Sequence, residues 1–398
     1  MADMPLLLLT YLITEILAPF FASLIILNAV LFLGRLVPLL DIIFDFGVGL
    51  GDFVRLCAYL MPKLLLFSIP MASMMGAIIA ITRMVNDNEI MALKANGVGL
   101  YRMLPAVGLI ALCSATLTLF TAVFLLPQGT IATKQLFFQV AKERIDRGIQ
   151  EKQFSEGIKE VVLYAEHVDS RTGVWQGVYV SDLRDPKTPV TVMAQNGSLT
   201  ADAATMQITL RLGEGSLHRA LGPKTQTMHF RSYTLSLPMQ APTAMAGDSL
   251  TRVGKSGMGL RELRAAAAKS DTTRQERAGY LIEFHQRLAL PVGCLILTVL
   301  GLPLTLVGRP RHRSIGVPLG LLVFILYYVL LTAAKGFAEE NLLPAGLLLW
   351  LPNLLFATLT FLFVRQVANE TTPLYDRLVE IGGSLIERLP WKRRQVAP

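Results

Sequence analysis

The residues that most often carry out chemistry are too scattered in this sequence to form a catalytic set. The five histidines are widely spaced, at His167, His218, His229, His285 and His312. No H-E-x-x-H or G-x-S-x-G motif is present, so neither a zinc-binding helix nor an activated serine is indicated. The three cysteines, Cys57, Cys113 and Cys294, lie in or beside apolar runs without a C-x-x-C pair. Neither a metal site nor a disulfide framework is predicted.

One tripeptide, Gly254-Lys255-Ser256, resembles the end of a phosphate-binding loop. The glycine that such a loop needs five positions earlier is Ser249, and no strand is predicted before it. We therefore interpret the tripeptide as part of a linker. The chain has no visible means of hydrolysing a nucleotide and is predicted to hold no cofactor of its own.

A polar stretch from Arg83 to Arg102 carries the first functional signal. Asn86 or Asp87 could cap a helix, and Glu89 stands at the spacing that reaches back to Asn86. Ile90 and Leu93 would then share one helix face, and Asn96-Gly97 would end the helix. A short, ordered helix between two membrane spans is typical of a docking element, so we hypothesise a contact with a separate motor protein. The alternative is that Glu89 serves only as a capping carboxylate.

Basic side chains near the ends of apolar runs form a second candidate site, which we call the basic collar. It comprises Arg35, Arg55, Lys63, Arg144 and Lys335, and Arg147 and Arg287 stand at span ends in the same way. Charge at membrane depth is costly and usually has a partner, and phosphate is a natural partner of such cations. The alternative is interfacial snorkelling, or pairing with neighbouring carboxylates such as Asp41, Asp52 and Glu339.

Composition places these residues in a membrane protein. Charged residues make up 17% of the 398 residues, against about 25% in ordinary soluble domains, and the mean hydropathy is +0.49. A net charge of +8 could indicate nucleic acid or anionic lipid. Because the charges lie mostly beside apolar runs or inside one long loop, the sequence favours lipid and gives no sign of a nucleic-acid partner.

Six runs are long and apolar enough to span a bilayer, which needs about 20 residues. They are Ile16 to Gly34, Leu64 to Thr82, Met103 to Thr133, Leu288 to Gly308, Ser314 to Ala334 and Asn341 to Val364. Twelve Lys and Arg residues of the short loops and the C-terminal tail lie on one side, and four in short loops lie on the other. The positive-inside rule therefore predicts that both termini are cytoplasmic and that the long insert lies on the far side.

The insert between the third and fourth spans changes from a helical to a strand period. Met206, Ile208 and Leu210 alternate with polar residues, and further strands are predicted from Val161, Val174, Val190, Leu217, Thr227 and Tyr233. The turns between them are predicted at 169–173, 185–186, 196–197, 213–215 and 222–223. This pattern indicates a β-sandwich or open barrel with one apolar face. Leu163, Tyr164 and Val178 are candidates for its interior, although alternation alone does not say which face is inside. A linker from Pro238 to Gly259 and a helix from Leu260 to Arg287 are predicted to follow the strands.

The order of these features resembles one known family. The stretch NDNEIMALKANG follows FSIPMASMMGAIIAITRM, the fourth span contains EFHQRLALPVGCLILTVLGLPL, and the sixth contains LPAGLLLWLPNLLF. Over nearly the whole chain the sequence is similar to the permeases of the lipopolysaccharide exporter, the LptF and LptG family. DNEIMALKANG is more similar to the LptF branch than to its paralogue.

The resemblance implies a fold of six transmembrane helices, arranged 3+3 around a periplasmic jelly-roll-like all-β domain. The expected boundaries are helices 1–3 in residues 1–133 with a coupling helix at 86–96, the β-domain and linker in 134–259, the last three helices in 260–366, and a basic cytoplasmic tail in 367–398. The implied location is the bacterial inner membrane.

The resemblance also implies partners and site residues. The partners would be an LptG-like permease, an LptB-like ATPase dimer that binds ATP and Mg, and a single-span LptC-like protein. Contact with the ATPase would fall on Asp87, Glu89, Ile90, Leu93 and Lys94. Lipid A phosphates of lipopolysaccharide would meet the basic collar. The alternatives are LptG, a permease for another lipid or lipoprotein, a membrane enzyme acting on headgroups, and a scaffold protein.

Overall fold

Long apolar helices and one antiparallel sheet form the computed structural model of the chain. The structure describes residues 6–46, 49–148, 154–158, 161–168, 174–183, 189–202, 207–221, 224–237, 254–269, 272–306, 316–340 and 344–369. The predicted basic tail and most of the predicted linker from Pro238 to Gly259 lie outside these residues.

The helices run as α1 Leu6–Phe46, α2 Leu50–Asn86, α3 Glu89–Ala95, α4 Leu100–Phe120, α5 Leu126–Gly148, α6 Leu260–Ala268, α7 Arg274–Leu306, α8 Gly316–Glu339 and α9 Ala345–Ala368. A π-helical turn, Thr121–Leu125, lies between α4 and α5. Six helical stretches are long and apolar enough to cross a membrane, three before the sheet and three after it. This arrangement confirms the predicted fold class. Helices suit such sequences because a helix satisfies its own backbone hydrogen bonds in lipid.

The helix predicted from Leu260 to Arg287 is interrupted in the structure. The Thr273 hydroxyl accepts a hydrogen bond from the Glu276 backbone N–H at 3.3 Å, and the Glu276 carboxylate accepts one from the Thr273 N–H at the same distance. This reciprocal pair is a capping box, which starts α7 as a new helix. The Arg277 guanidinium then donates to the Ala267 carbonyl at 2.8 Å and links α7 to α6.

The chain divides into two units. The helical unit comprises Met1–Phe32, Pro62–Leu125 and Gly259–Pro398, and the second unit comprises Leu33–Met61 and Leu126–Met258. In the helical unit α7 packs against α4, α8 and α9. Close approach of α1 and α2 depends on Gly76, because a Cβ built there would lie 2.8 Å from the backbone of Phe20.

The second unit contains a six-stranded antiparallel sheet whose strands pair in sequence order. They are β1 Phe154–Ile158, β2 Val161–Val168, β3 Val174–Asp182, β4 Val190–Asp202, β5 Gln207–Leu221 and β6 Lys224–Leu237. One row across four strands, Leu163, Val180, Val192 and Leu217, is buried. This row identifies the apolar face that alternation left open. Leu163 and Val178 lie on it, whereas Met206 is outside the described residues.

Two of the predicted turns are wrong, because β4 runs through Asn196-Gly197 and β5 runs through residues 213–215. These glycines allow close packing and do not reverse the chain. A Cβ on Gly197 would lie 2.9 Å from a methyl group of Val178, and one on Gly215 would collide with the backbone of the neighbouring strand. The other three predicted turns fall between strands, outside the described residues.

Candidate functional site

The short helix α3 forms where the polar stretch predicted it. Its end is a Schellman motif: the Gly97 N–H donates to the Lys94 carbonyl and the Val98 N–H to the Leu93 carbonyl, both at 2.9 Å. Gly97 has a φ of 75°, which a glycine adopts without a side-chain clash. The predicted stop at Asn96-Gly97 is therefore confirmed.

The predicted capping of α3 is wrong. Asn86 is the last residue of α2, and Asn88 occupies the cap position in the left-handed region without a side-chain cap hydrogen bond. The Asp87 carboxylate lies 3.7 Å from the Arg83 guanidinium, one turn back. The Glu89 carboxylate accepts a 2.7 Å hydrogen bond from the hydroxyl of Tyr11 on α1. Glu89 is thus committed to a distant helix and leaves its own helix start uncapped.

The apolar face of α3 packs into the chain itself. Ile90 is 6% exposed and belongs to the same buried cluster as Leu12 of α1, Met84 of α2 and Leu100 of α4. Leu93 is half-buried against that cluster. The predicted sharing of one face by Ile90 and Leu93 is therefore confirmed. As positioned here, both side chains hold α3 in place within the chain.

The surface that α3 presents outward carries different residues. Met91 is 68% exposed, Lys94 and Ala95 are also exposed, and so is Asp87 in the turn just before α3. Met91 is an apolar side chain in a polar loop. It lies one position away from Ile90, outside the apolar helix face that Ile90 and Leu93 form, and sequence reasoning missed it. That position outside the apolar face was the signal that could have found it.

Two ionic contacts accompany the Tyr11–Glu89 hydrogen bond. Arg83 lies 3.5 Å from Glu15 of α1 and 3.7 Å from Asp87. The Arg83 side chain is 69% exposed, so solvent screens these pairs and each contributes little. The shorter Tyr11–Glu89 hydrogen bond, to a charged acceptor, is the strongest polar tie between α1 and α3 among the described residues.

The residues of the basic collar are divided between the two units. Arg35 on α1 is exposed, and Arg55 on α2 is exposed and pairs with Asp52 at 3.3 Å. Arg144 lies in α5, but its side chain is outside the described residues. In the helical unit, Lys63 is exposed and Lys335 half-exposed. The structure thus does not assemble the collar within either unit, and the collar remains a prediction.

Buried polar groups that sequence reasoning missed link the spans of the helical unit. The Ser73 hydroxyl lies 2.9 Å from that of Ser114 and 2.8 Å from that of Thr298, joining α2, α4 and α7. The Tyr327 hydroxyl donates to the Asn353 amide oxygen at 2.8 Å, and the Asn353 amide donates to the Ala289 carbonyl at 2.9 Å. Such groups carry no signal in a hydropathy pattern.

Among the described residues, two charged side chains, Lys134 and Arg287, are buried within candidate spans. Arg287 is 1% exposed and is held by Glu283, one turn earlier on α7, through contacts of 2.9 and 3.0 Å to the same carboxylate oxygen. The pair lies on one helix, so it can form before the helices pack. Among the described residues, no group of three or more His, Cys, Asp or Glu is positioned to bind a metal ion.

A groove of about 680 Å³ lies on the sheet face opposite the buried row. Its walls include one cross-strand row, Tyr164, Tyr179, Met193, Ser216 and His229. The exposed ring of Phe154 on β1 stacks beside Tyr164, with centroids 4.9 Å apart. The second face of the sheet is therefore amphipathic and open.

Comparison with known proteins places the sequence in a family. A sequence model described as lipopolysaccharide export system permease LptF/LptG matches residues 10–366. The chain is 22% identical over 354 residues to the LptF export permease of Escherichia coli K12, covering 88% of this chain and 92% of that protein. LptF of Shigella flexneri matches with the same identity and the same coverage. An uncharacterized protein of Rickettsia prowazekii is 23% identical over 302 residues, covering 75% of this chain and 81% of that protein.

Proposed function

The chain belongs to the lipopolysaccharide export system permease LptF/LptG family, and we propose that it is one of two permease subunits of an ATP-driven exporter. Membership makes it a multi-pass inner-membrane protein of lipopolysaccharide export, in a family whose members are not themselves catalytic. The observation that carries the proposal is the family match from the first candidate span to the sixth, with the sheet inserted between. In the proposed cycle, lipopolysaccharide leaves the outer leaflet of the inner membrane and passes toward the outer membrane.

Energy would come from a separate LptB-like ATPase dimer that binds ATP and Mg. The chain shows no phosphate-binding loop, so a contact surface must transmit the work. We assign that surface to the predicted set Asp87, Glu89, Ile90, Leu93 and Lys94, with Met91 added. Within it, the exposed Met91, Lys94 and Asp87 make direct contact, while Ile90 and Leu93 anchor α3. This assignment is supported by the exposure of the first group and the burial of the second.

The lipid path would use both apolar and basic groups. Lipopolysaccharide presents several acyl chains and phosphates, which call for an apolar surface and a cationic rim. We propose that Arg35, Arg55, Lys63, Arg144 and Lys335 meet the phosphates. The sheet would then shelter acyl chains along its apolar face, a role supported by the continuous buried row through Leu163 and Val192.

Orientation follows from the excess of Lys and Arg at one set of span ends. Both termini and α3 would lie in the cytoplasm and the sheet in the periplasm. The remaining partners would be an LptG-like permease and a single-span LptC-like protein. We assign the chain to the LptF branch on the strength of DNEIMALKANG and its match to LptF of Escherichia coli. The alternative assignment is the paralogous LptG, or a permease for another lipid or lipoprotein.

Purification from native membranes tests this proposal. The tagged chain should bring down a soluble ATPase, a second permease and lipopolysaccharide, identified by mass spectrometry. Met91→Glu should release the ATPase and keep the second permease. Recovery of the chain with no ATPase in the wild type would contradict the exporter assignment. Recovery of a different lipid would favour the alternative substrate.

A further inference from the structure

The bond between Tyr11 and Glu89 joins the proposed docking helix to a membrane span. The hydroxyl of Tyr11 and the carboxylate of Glu89 are 2.7 Å apart although 78 positions separate them. This distance is typical of a hydrogen bond to a charged oxygen. Neither residue is needed for a helix cap, since α3 begins without a side-chain cap. The contact therefore calls for another explanation.

The two helices are also joined on their apolar sides. Leu12 and Ile16 of α1 are fully buried in the cluster that receives Ile90. Tyr11 stands beside Leu12 and is 37% exposed. The first turns of α1 thus hold the start of α3 through one polar bond and share a buried apolar cluster with it.

Among the six candidate spans of the described residues, the span that receives this bond has the smallest share buried within this chain. In the most apolar 18-residue stretch of each helix, 11% of the residues are buried in α1 and 72% are buried in α2. A loosely packed helix moves at lower cost than a densely packed one, because fewer contacts must break. Fewer contacts within this chain therefore oppose a displacement of α1 than a displacement of α2.

We propose that Tyr11 is a positioning residue that passes the movement of α3 to α1. This inference rests on the proposed function, because the movement originates in a docked ATPase. The Tyr11–Glu89 hydrogen bond keeps the start of α3 in register with α1 while the partner pulls or pushes on the exposed face of α3. Without the hydroxyl, the ATPase still docks and hydrolyses ATP, but α1 does not follow.

The test compares three variants in complexes purified from membranes and reconstituted in vesicles that contain lipopolysaccharide. Tyr11→Phe removes the hydroxyl and keeps the ring. Tyr101→Phe is the matched control, because Tyr101 is an exposed tyrosine on α4 without a hydrogen bond among the described residues. Glu89→Gln keeps an oxygen that can accept from Tyr11 and removes the charge. Lipopolysaccharide released per ATP hydrolysed is measured, so expression level does not enter.

We expect Tyr11→Phe to lower release per ATP by about tenfold, the ratio associated with losing one hydrogen bond to a charged group. ATPase co-purification and ATP hydrolysis should stay at wild-type level. Tyr101→Phe should match the wild type, and Glu89→Gln should retain more release than Tyr11→Phe. Wild-type release from Tyr11→Phe would overturn the inference, and so would loss of the ATPase from that complex. A wild-type complex without an ATPase would instead contradict the proposed function.

Discussion

The hydroxyl of Tyr327 lies 2.8 Å from the amide oxygen of Asn353, and this hydrogen bond ties α8 to α9 inside the helical unit. Asn353 in turn donates to the Ala289 carbonyl of α7. Three spans therefore meet at a single amide. Side-chain hydrogen bonds between spans average about 0.6 kcal/mol and reach about 1.7 kcal/mol.

Removing the Tyr327 hydroxyl should destabilise this meeting point. We expect Tyr327→Phe to lower the free energy of unfolding by about 1 kcal/mol, because the Asn353 oxygen loses its donor. Tyr328→Phe is the matched control: its hydroxyl is buried without a hydrogen-bond partner among the described residues. In thermal unfolding in detergent, the midpoint temperature of Tyr327→Phe should lie below that of the wild type, and that of Tyr328→Phe should equal or exceed it. Equal losses from the two variants would contradict the assignment.

Gly293 sits against the same tyrosine. A Cβ built on Gly293 would collide with the Tyr327 hydroxyl and lie 3.1 Å from the Asn353 oxygen. Gly293→Ala should therefore destabilise the chain more than Tyr327→Phe does. The double variant should lose less unfolding free energy than the two single variants together, because both substitutions act on the same contact. Gly108→Ala on α4 is the control, since a Cβ there has nothing within 4 Å.

Met91 and Ile90 are neighbours in sequence with opposite roles. Met91→Glu should abolish ATPase co-purification with little change in thermal stability, because the side chain is 68% exposed. Ile90→Ala should cost about 2–4 kcal/mol of stability, because it leaves a cavity in the core. For both variants, a pull-down measures ATPase binding and unfolding in detergent measures stability. If Met91→Glu keeps the ATPase bound, the exposed face of α3 is not the docking face.

Arg287 and Glu283 form the buried ion pair of α7. Arg287→Ala should destabilise the chain by about 3–5 kcal/mol, because Glu283 is left charged in a low-dielectric setting. The double change to Ala at both positions should restore part of that loss. The exposed pair Arg55 and Asp52 provides the comparison, and Arg55→Ala should cost less than about 1 kcal/mol. Similar losses for Arg287→Ala and Arg55→Ala would contradict the burial argument.

A charge reversal at Lys335 tests whether the basic collar binds lipopolysaccharide phosphates. Lys335→Glu should reduce photocrosslinking between lipopolysaccharide and a probe placed on α8, because a carboxylate repels phosphate. Arg365→Glu makes the same charge change on an exposed position of α9, at the membrane face proposed to be cytoplasmic, and should leave crosslinking unchanged. Unchanged crosslinking in Lys335→Glu would remove that residue from the phosphate site.

The spans and the all-β insert could be predicted because both depend on local pattern. A run such as Leu64 to Thr82 has only one way to satisfy its backbone in lipid, and the Schellman stop at Gly97 follows from residue type alone. The cap of α3 could not be predicted, because Asn86 stays in α2 and Glu89 finds a partner 78 positions away.

Turns predicted at glycines and the inner face of the sheet could not be settled from the sequence alone. Gly197 suggested a turn, yet it lies inside β4 because Val178 packs over it. Tyr164 and Leu163 were equal candidates for the sheet interior, and only the burial of Leu163 and its partner Val180 shows which face is inside. Each of these outcomes depends on contacts made after the strands assemble.

We propose that this chain couples hydrolysis by a separate ATPase to extraction of lipopolysaccharide. The most direct measurement is transfer of labelled lipopolysaccharide from vesicles containing the purified complex to an acceptor in solution, with and without ATP. We predict transfer that requires ATP and falls to background when Met91→Glu removes the ATPase. Transfer that proceeds equally without ATP, or that persists in the Met91→Glu complex after the ATPase is lost, would contradict the proposed coupling to ATP hydrolysis.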